Sequence, residues 1–504
     1  MDSPTAAPPA FQFPRLRLAH GLIVAAFVAY AVFLALHMGA YAGGSDSSGY
    51  LNSARLLSRG TTHMAQRVLP GVDLAKAPPY LFAALGFKPL ANQQMAPTYP
   101  IGLPLAVVAM AKIAGWRAAP HLLMGLSALL GLVLTAALGR LAGLPRGWAW
   151  FGALILGTCP LYVFMSLQLM SDVPATALAL ATILCAWRSR RHAAWALLAG
   201  FAMAAGVLTR PSNLVLLLPV AVALGVNWRC WLGLGLGGLP GAFVQCFYNY
   251  HAYGHAFESG YGVAGSLFGL GNIPASLRNY AQWLPVLLTP AGLFAFALPW
   301  SGPERRFAWV LLAWIAAVLG FYLCYFHTHE TWWYLRFLLP AFPAFIVGGL
   351  CVVHRWWLDR SSRPAARPLA SSRLAAGLAL AIIANAVVWN LQLNTYNLRE
   401  TESVYPDAVG WAQAHVPANA TFVAMQCTGA LVCYSDFLFV RWDNIEPAQA
   451  PMLAQASLAA GRPVYAMLFP FEVKDALELR LPGHWTQTAA IRHVSIWKWE
   501  ATAP

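Results

Sequence analysis

Long apolar runs separated by short polar stretches dominate this chain. A helix that crosses the hydrocarbon core of a bilayer needs about 20 mostly apolar residues. Runs close to that length fall at 18–40, 119–141, 148–167, 173–187, 193–208, 212–226, 231–250, 280–300, 307–326, 337–353 and 374–390, which predicts eleven spans. A further run, PTYPIGLPLAVVAMAKIAGW, has a shorter apolar part and carries Pro97, Pro100 and Pro104 at its start. It reads as an interfacial helix over 99–116 that closes a first outer loop, 41–98. After 390 the pattern changes. Apolar runs such as TFVAM, FLFV and PVYAMLF alternate with helical stretches such as AQAPMLAQASLAAG. That alternation predicts a small α/β domain over 391–504. The expected fold is an all-α polytopic membrane domain, 1–390, followed by a C-terminal α/β domain.

Composition agrees with the pattern. Of 504 residues 59% are hydrophobic and 10% charged, with a mean hydropathy of +0.57, whereas soluble domains carry about 25% charged residues. The stretch before His20 is no cleavable signal, because the apolar run behind it is long enough to span and lacks a small-residue cleavage site. The net charge of +14 sits in arginines clustered between apolar runs, so it marks cytoplasmic loops and lipid headgroups, and no nucleic-acid partner is expected. With 99–116 left out of the spans, Arg15 and Arg17, Arg140 and Arg146, Arg188 with Arg190 and Arg191, Arg305 and Arg306, and the arginines from 355 to 373 all fall on one side. With it included, every cluster after the first changes side. The positive-inside rule then predicts a cytoplasmic amino terminus, a cytoplasmic basic linker RSSRPAARPLASSR, and a periplasmic tail. Six of the eight cysteines lie in apolar segments as packing residues; Cys427 and Cys433 lie in the tail, where an oxidising compartment would permit a disulfide.

On this topology the outer face collects the residues with chemistry to offer. Asp46, in GGSDSSGYLNSARLLSRG, is the only acid between Asp2 and Asp73. Just beyond a span, it can serve as a general base toward a hydroxyl or amine, or cap the helix that follows. Asp172, in LQLMSDVP, lies on the same face at the mouth of another span, with Pro174 in the first turn, and reads the same two ways. HTHETWWYLRF brings His327, His329, Glu330 and Arg336 together, without the further ligands that a metal site needs. Arg336, and Arg210 in LTRPSN, run against the positive-inside trend. A guanidinium fork suits a phosphate, and snorkelling to headgroups accounts for the same positions.

Taken together, SDSSGYLNSARLL, TYPIGLPLAV, LMSDVPATAL, TRPSNLVLLLP, YNYHAYGHAFESGYG and YLRFLLPAFPA resemble the GT-C membrane glycosyltransferases, with the bacterial members similar to protein O-mannosyltransferases and lipid A aminoarabinose transferase nearest in pattern. The resemblance runs from about residue 18 to 345. It implies transfer of a sugar from a polyprenyl-phosphate donor to a lipid, glycan or protein acceptor at the periplasmic face of the inner membrane. It also implies that Asp46 is the first-loop catalytic base, that Asp172 is the second acidic position, and that 99–116 is an interfacial helix. Ser47 departs from the pattern, which often has a second acid there. No cofactor is required; a divalent metal is compatible with the chemistry but not expected. The chemistry stands by itself as well: a phosphate leaving group needs a balancing cation, which Arg210 and Arg336 can supply, and the acceptor needs a base. The rival readings are a lipid-linked sugar transporter, which would carry repeats and midplane charges that this chain lacks, and a glycan polymerase or ligase.

Overall fold

The computed structural model describes residues 13–73, 76–262, 264–301, 304–361 and 368–500. Arg363 and Arg367 of the basic linker lie outside them, as do the side chains of Arg15, Arg17, Arg360 and Arg373. The apolar part is a helical assembly: α1 (Phe13–His37), α2 (Ser45–Ser58), α3 (Gly102–Leu141), α4 (Arg146–Thr158), α5 (Pro160–Ser166), α6 (Asp172–Arg188), α7 (Ala194–Thr209), α8 (Leu217–Leu224), α9 (Trp228–Tyr253), α10 (Ile273–Leu293), the short α11 (Leu298–Ser301), α12 (Arg305–Leu323), α13 (Phe342–Ser361) and α14 (Pro368–Gln392).

Breaks within the apolar runs decide how many of these helices can span. Among the described residues, five are long and apolar enough to cross a membrane, or up to seven if each of two bent pairs is one span. Ala194–Thr209 and Pro211–Leu224 are apolar but shorter, as is Gly21–His37, the part of α1 whose side chains are described. On length and apolarity the described helices thus account for five to seven of the eleven expected spans. The reason is local. Pro160 divides one expected span into α4 and α5, bent by 65°, and Pro211 opens a 3-10 stretch before α8; Thr289, with φ of 60°, interrupts α10 just before Pro290, within a stretch, Leu270–Trp300, that keeps the length of a span. Proline removes a helical donor and crowds the preceding turn, which kinks or ends a helix. The run expected over 99–116 is the first part of α3. It begins at Gly102 and is set off from the rest by Gly115, whose φ of 77° and ψ of 161° are not helical.

The tail, from α15 (Leu398–His415) onward, builds a five-stranded sheet of order β5-β4-β6-β8-β7. The first loop builds a small antiparallel sheet of β1 (Met64–Ala65), β2 (Phe87–Pro89) and β3 (Gln94–Pro97). In the tail, β4 (Thr421–Ala424) runs parallel to β5 (Leu438–Arg441) and β6 (Val464–Leu468), and all three are buried along their length, as parallel strands covered on both faces are. β7 (His484–Ile491) and β8 (Val494–Glu500) form an antiparallel hairpin at the edge.

Loop and tail share their cores. Phe87 and Met95 of the loop pack with Tyr405, Phe422 and Phe439 of the tail, and Leu81 and Phe82 pack with Val440, Trp442 and Leu468. Polar contacts cross the same seam: Asn52 Nδ2 donates to the Gly429 carbonyl at 3.0 Å, and Arg441 N to the Leu81 carbonyl at 2.9 Å. The segment carrying Asp46 is thus clamped between the helical assembly and the tail. Cys427 and Cys433 are both buried and unbonded.

Candidate active site

Asp46 stands in the first turn of α2, behind Gly43 and Gly44. The cap position is Gly44, with φ of 44°, and no side chain caps the helix. Asp172 is likewise in the first turn of α6, with no side-chain cap at Ser171. A helix N-terminus favours an acid through its dipole, yet both Asp46 oxygens and Asp172 Oδ1 bond distant side chains instead of their own helix amides. The capping alternative is overturned for each.

Asp46 is held from two sides. Arg336 Nη2 donates to Oδ2 at 2.7 Å, and the Tyr99 hydroxyl donates to Oδ1 at 2.7 Å. Tyr99 gets close because residue 49 is glycine: a β-carbon there would collide with the Tyr99 ring. Burial pushes the Asp46 carboxyl up, but the charge of Arg336, the Tyr99 and Arg336 hydrogen bonds and the charge of Arg210 outweigh it and hold the group below the usual carboxylate range.

Asp172 and Arg210 form a second pair, through Oδ1 and Nη1, with Asp172 2% exposed and Arg210 7%. Arg210 Nε reaches the Tyr322 hydroxyl at 3.4 Å, and that hydroxyl donates to Ser212 Oγ at 2.5 Å. Both cations lie over the Phe337 ring, Arg210 at 5.0 Å and Arg336 at 5.2 Å, close enough for cation–π attraction to both. All four residues singled out in the sequence therefore meet in one place, as two ion pairs with one ring shared. Both arginines are turned into the protein, so surface snorkelling does not describe them. Arg336 also keeps a buried Nε with no hydrogen-bond partner among the described residues.

A cavity of about 230 Å³ opens beside Asp46 and Arg336. Its wall also includes Phe164, Gln168 and Trp333, and from the tail Glu402, Tyr405 and Gln426. His327 Nδ1 sits 3.1 Å from Glu330 Oε1, and among the described residues no three His, Cys, Asp or Glu side chains converge as metal ligands.

No family model matches the sequence, and no curated protein matches it. The fold has counterparts among solved structures. ArnT from Cupriavidus metallidurans bound to undecaprenyl phosphate superimposes with a TM-score of 0.53 over 95% of this chain and 98% of that one, at 14% identity. The apo form of the same protein gives 0.51 at 13% identity, over the same shares of the two chains. The arabinofuranosyltransferase AftD from mycobacteria gives 0.50 at 12% identity, over 96% of this chain and 42% of that chain. The chain has the fold of the GT-C membrane glycosyltransferases.

Within this GT-C fold, two contributors to the site lie beyond the candidates read from the sequence. Tyr99 stands inside the TYPIGLPLAV motif, where its position just ahead of the apolar helix was the only available signal. Glu402 belongs to the acidic stretch LRETESVYPD after α14, where nothing local separates it from Glu400 or Asp407.

Proposed function

We propose that this chain is a hexosyl or pentosyl transferase that moves a sugar from a polyprenyl-phosphate donor to a lipid, glycan or protein acceptor. The observation that carries the reading is the contact between Asp46 and Arg336 on the wall of one cavity, which joins a base to a phosphate-binding cation. The undecaprenyl phosphate bound in the ArnT structure supports the donor class.

In this reading Arg336 and Arg210 take the donor phosphate. Arg336 lines the cavity, and a guanidinium presents a fork suited to phosphate oxygens. Asp46 takes the proton from the acceptor hydroxyl or amine as that atom bonds to the anomeric carbon. The bond from the anomeric carbon to the phosphate oxygen breaks, and the lipid phosphate leaves with its electron pair, its charge balanced by the arginines. A carboxylate tied to Arg336 is a weak base. Phosphate drawing on the same guanidinium loosens that tie, so the base strengthens when the donor is present. Asp172, buried against Arg210, acts here as the residue that orients this cation. No step needs a metal.

The topology belongs to the same proposal: eleven passes, with the shorter helices also crossing, the first part of α3 along the interface, and the site with the tail on the periplasmic face of a bacterial inner membrane. The test is to incubate membranes containing the protein with radiolabelled polyprenyl-phosphate sugars. Transfer of label into a lipid, glycan or protein fraction that depends on Asp46 supports the reading, and absence of transfer from every donor of this class overturns it.

A further inference from the structure

The cavity beside Asp46 has three charged residues on its wall, and two of them, Asp46 and Arg336, are bonded to each other. The third, Glu402, comes from α15 and has no hydrogen-bond or ion-pair partner among the described residues. Its carboxylate lies against the backbone of Gly43, where a β-carbon would collide with Oε2 and with the Tyr405 ring. A glycine at 43 thus lets an acid from the tail stand beside the catalytic segment.

The rest of the wall has a consistent character. Gln168 spends its amide nitrogen on the Phe164 carbonyl at 3.2 Å, which leaves its oxygen as an acceptor. Glu402 adds a carboxyl group, which accepts through its carbonyl oxygen when protonated and through both oxygens when ionised. Phe164 and Trp333 supply flat apolar surface. An acceptor-rich, aromatic-walled chamber suits a ligand with many O–H donors and an apolar face. Its volume, about 230 Å³, is below the ~300–1,000 Å³ of drug-sized pockets, a size that suits a single sugar ring. Arg336 stands on its wall, and in a lipid-linked donor the sugar is bonded directly to the phosphate that Arg336 would take.

We propose that this chamber receives the donor's sugar and that Glu402, supplied by the tail, accepts hydrogen bonds from its hydroxyls and so selects which sugar is carried. The proposal rests on the donor class given above. It makes the tail part of the catalytic site, with Glu402 as a specificity-determining residue.

The test uses the purified full-length protein in lipid nanodiscs, titrated with undecaprenyl phosphate and, separately, with undecaprenyl-phosphate-linked hexoses and pentoses. The ligands are compared in wild type, Glu402→Gln and Glu402→Ala. Removing a hydrogen bond from a charged group is worth roughly 10- to 100-fold in affinity. Glu402→Ala is therefore expected to weaken the preferred sugar-linked lipid by about that factor while binding undecaprenyl phosphate as wild type does, and Glu402→Gln, which keeps one acceptor oxygen, is expected to fall between. Equal weakening of both ligands would reduce Glu402 to a structural role at the loop–tail seam and overturn the proposal. Unchanged binding of every sugar-linked lipid in Glu402→Ala would overturn it while leaving the donor class intact. Wild type that binds neither kind of lipid would remove the donor reading itself.

Discussion

Arg336 donates from Nη2 to Asp46 Oδ2 at 2.7 Å across 290 positions of chain. Through this contact the segment after the first apolar run and the turn before α13 become one site. It also sets how Asp46 behaves before any substrate arrives.

Asp46→Asn is expected to reduce transfer by about 10²- to 10⁴-fold, the usual contribution of a general base, while the donor still binds. The side chain caps no helix, so a loss of activity cannot be assigned to a lost cap. Turnover and donor titration on the same preparation check this, and wild-type turnover in the variant would exclude Asp46 as the base.

The Asp172–Arg210 pair makes a prediction about stability. Removing one partner of a buried pair leaves a charge uncompensated and costs about 3–5 kcal/mol, whereas removing both is far milder. Asp172→Asn and Arg210→Met should each lower the thermal midpoint markedly, and the double variant should recover much of the loss. If donor affinity stays low in the recovered double variant, Arg210 contacts the phosphate. An additive loss in the cycle would show that the two residues are not energetically paired.

Tyr99→Phe removes one of the two hydrogen bonds that hold Asp46 ionised. The Asp46 pKa is depressed, so its ionisation is complete at neutral pH and is lost only as pH falls through the folded value. The acid limb of kcat/KM in wild type should therefore lie below about pH 4, the ordinary carboxylate value, and Tyr99→Phe should move it upward. Gly49→Ala, which drives a methyl into the Tyr99 ring, should do the same. Profiles that coincide for all three proteins would show that Asp46 does not set the limb.

Glu402 titrates in the opposite sense. Burial pushes its carboxyl up from 4.5 to about 7. The charged residues on the same cavity wall, Asp46 and Arg336, are bonded to each other, and Tyr405 is the phenol beside it. A raised folded pKa gives stability that is complete below the unfolded value and is lost as pH rises through the folded one. Wild type should therefore lose thermal stability between about pH 4.5 and 7 relative to Glu402→Gln, which does not titrate. Melting curves for the two across that window decide it, and parallel curves would mean that the carboxyl is solvated.

The orientation has its own test. A carboxy-terminal alkaline phosphatase fusion is expected to be active and a cytoplasmic reporter at the same position silent. The reverse pattern would move Asp46 and its cavity to the cytoplasmic side.

The linear pattern by itself determined the membrane character, because apolarity sustained over about 20 residues leaves a helix no better solvent than lipid or other helices. Apolar runs of the tail such as TFVAM and PVYAMLF contain β4 and β6 for a similar local reason, since short β-branched and aromatic runs bounded by turns suit covered strands. Asp46, Asp172, Arg210 and Arg336 stood out as rare charges beside apolar segments, a signal that needs no fold. Tertiary structure alone decided which acid meets which arginine. Asp172 reaches Arg210 across 38 positions and Asp46 reaches Arg336 across 290, and no local periodicity encodes a pairing over such separations. It also decided where the runs break, because a proline or a positive-φ residue inside an apolar stretch leaves its hydropathy unchanged while ending its helix. Glu402 was hidden most completely. In sequence it is one acid among several in a polar stretch, and only the packing of the tail against Gly43 carries it to the cavity that Asp46 lines.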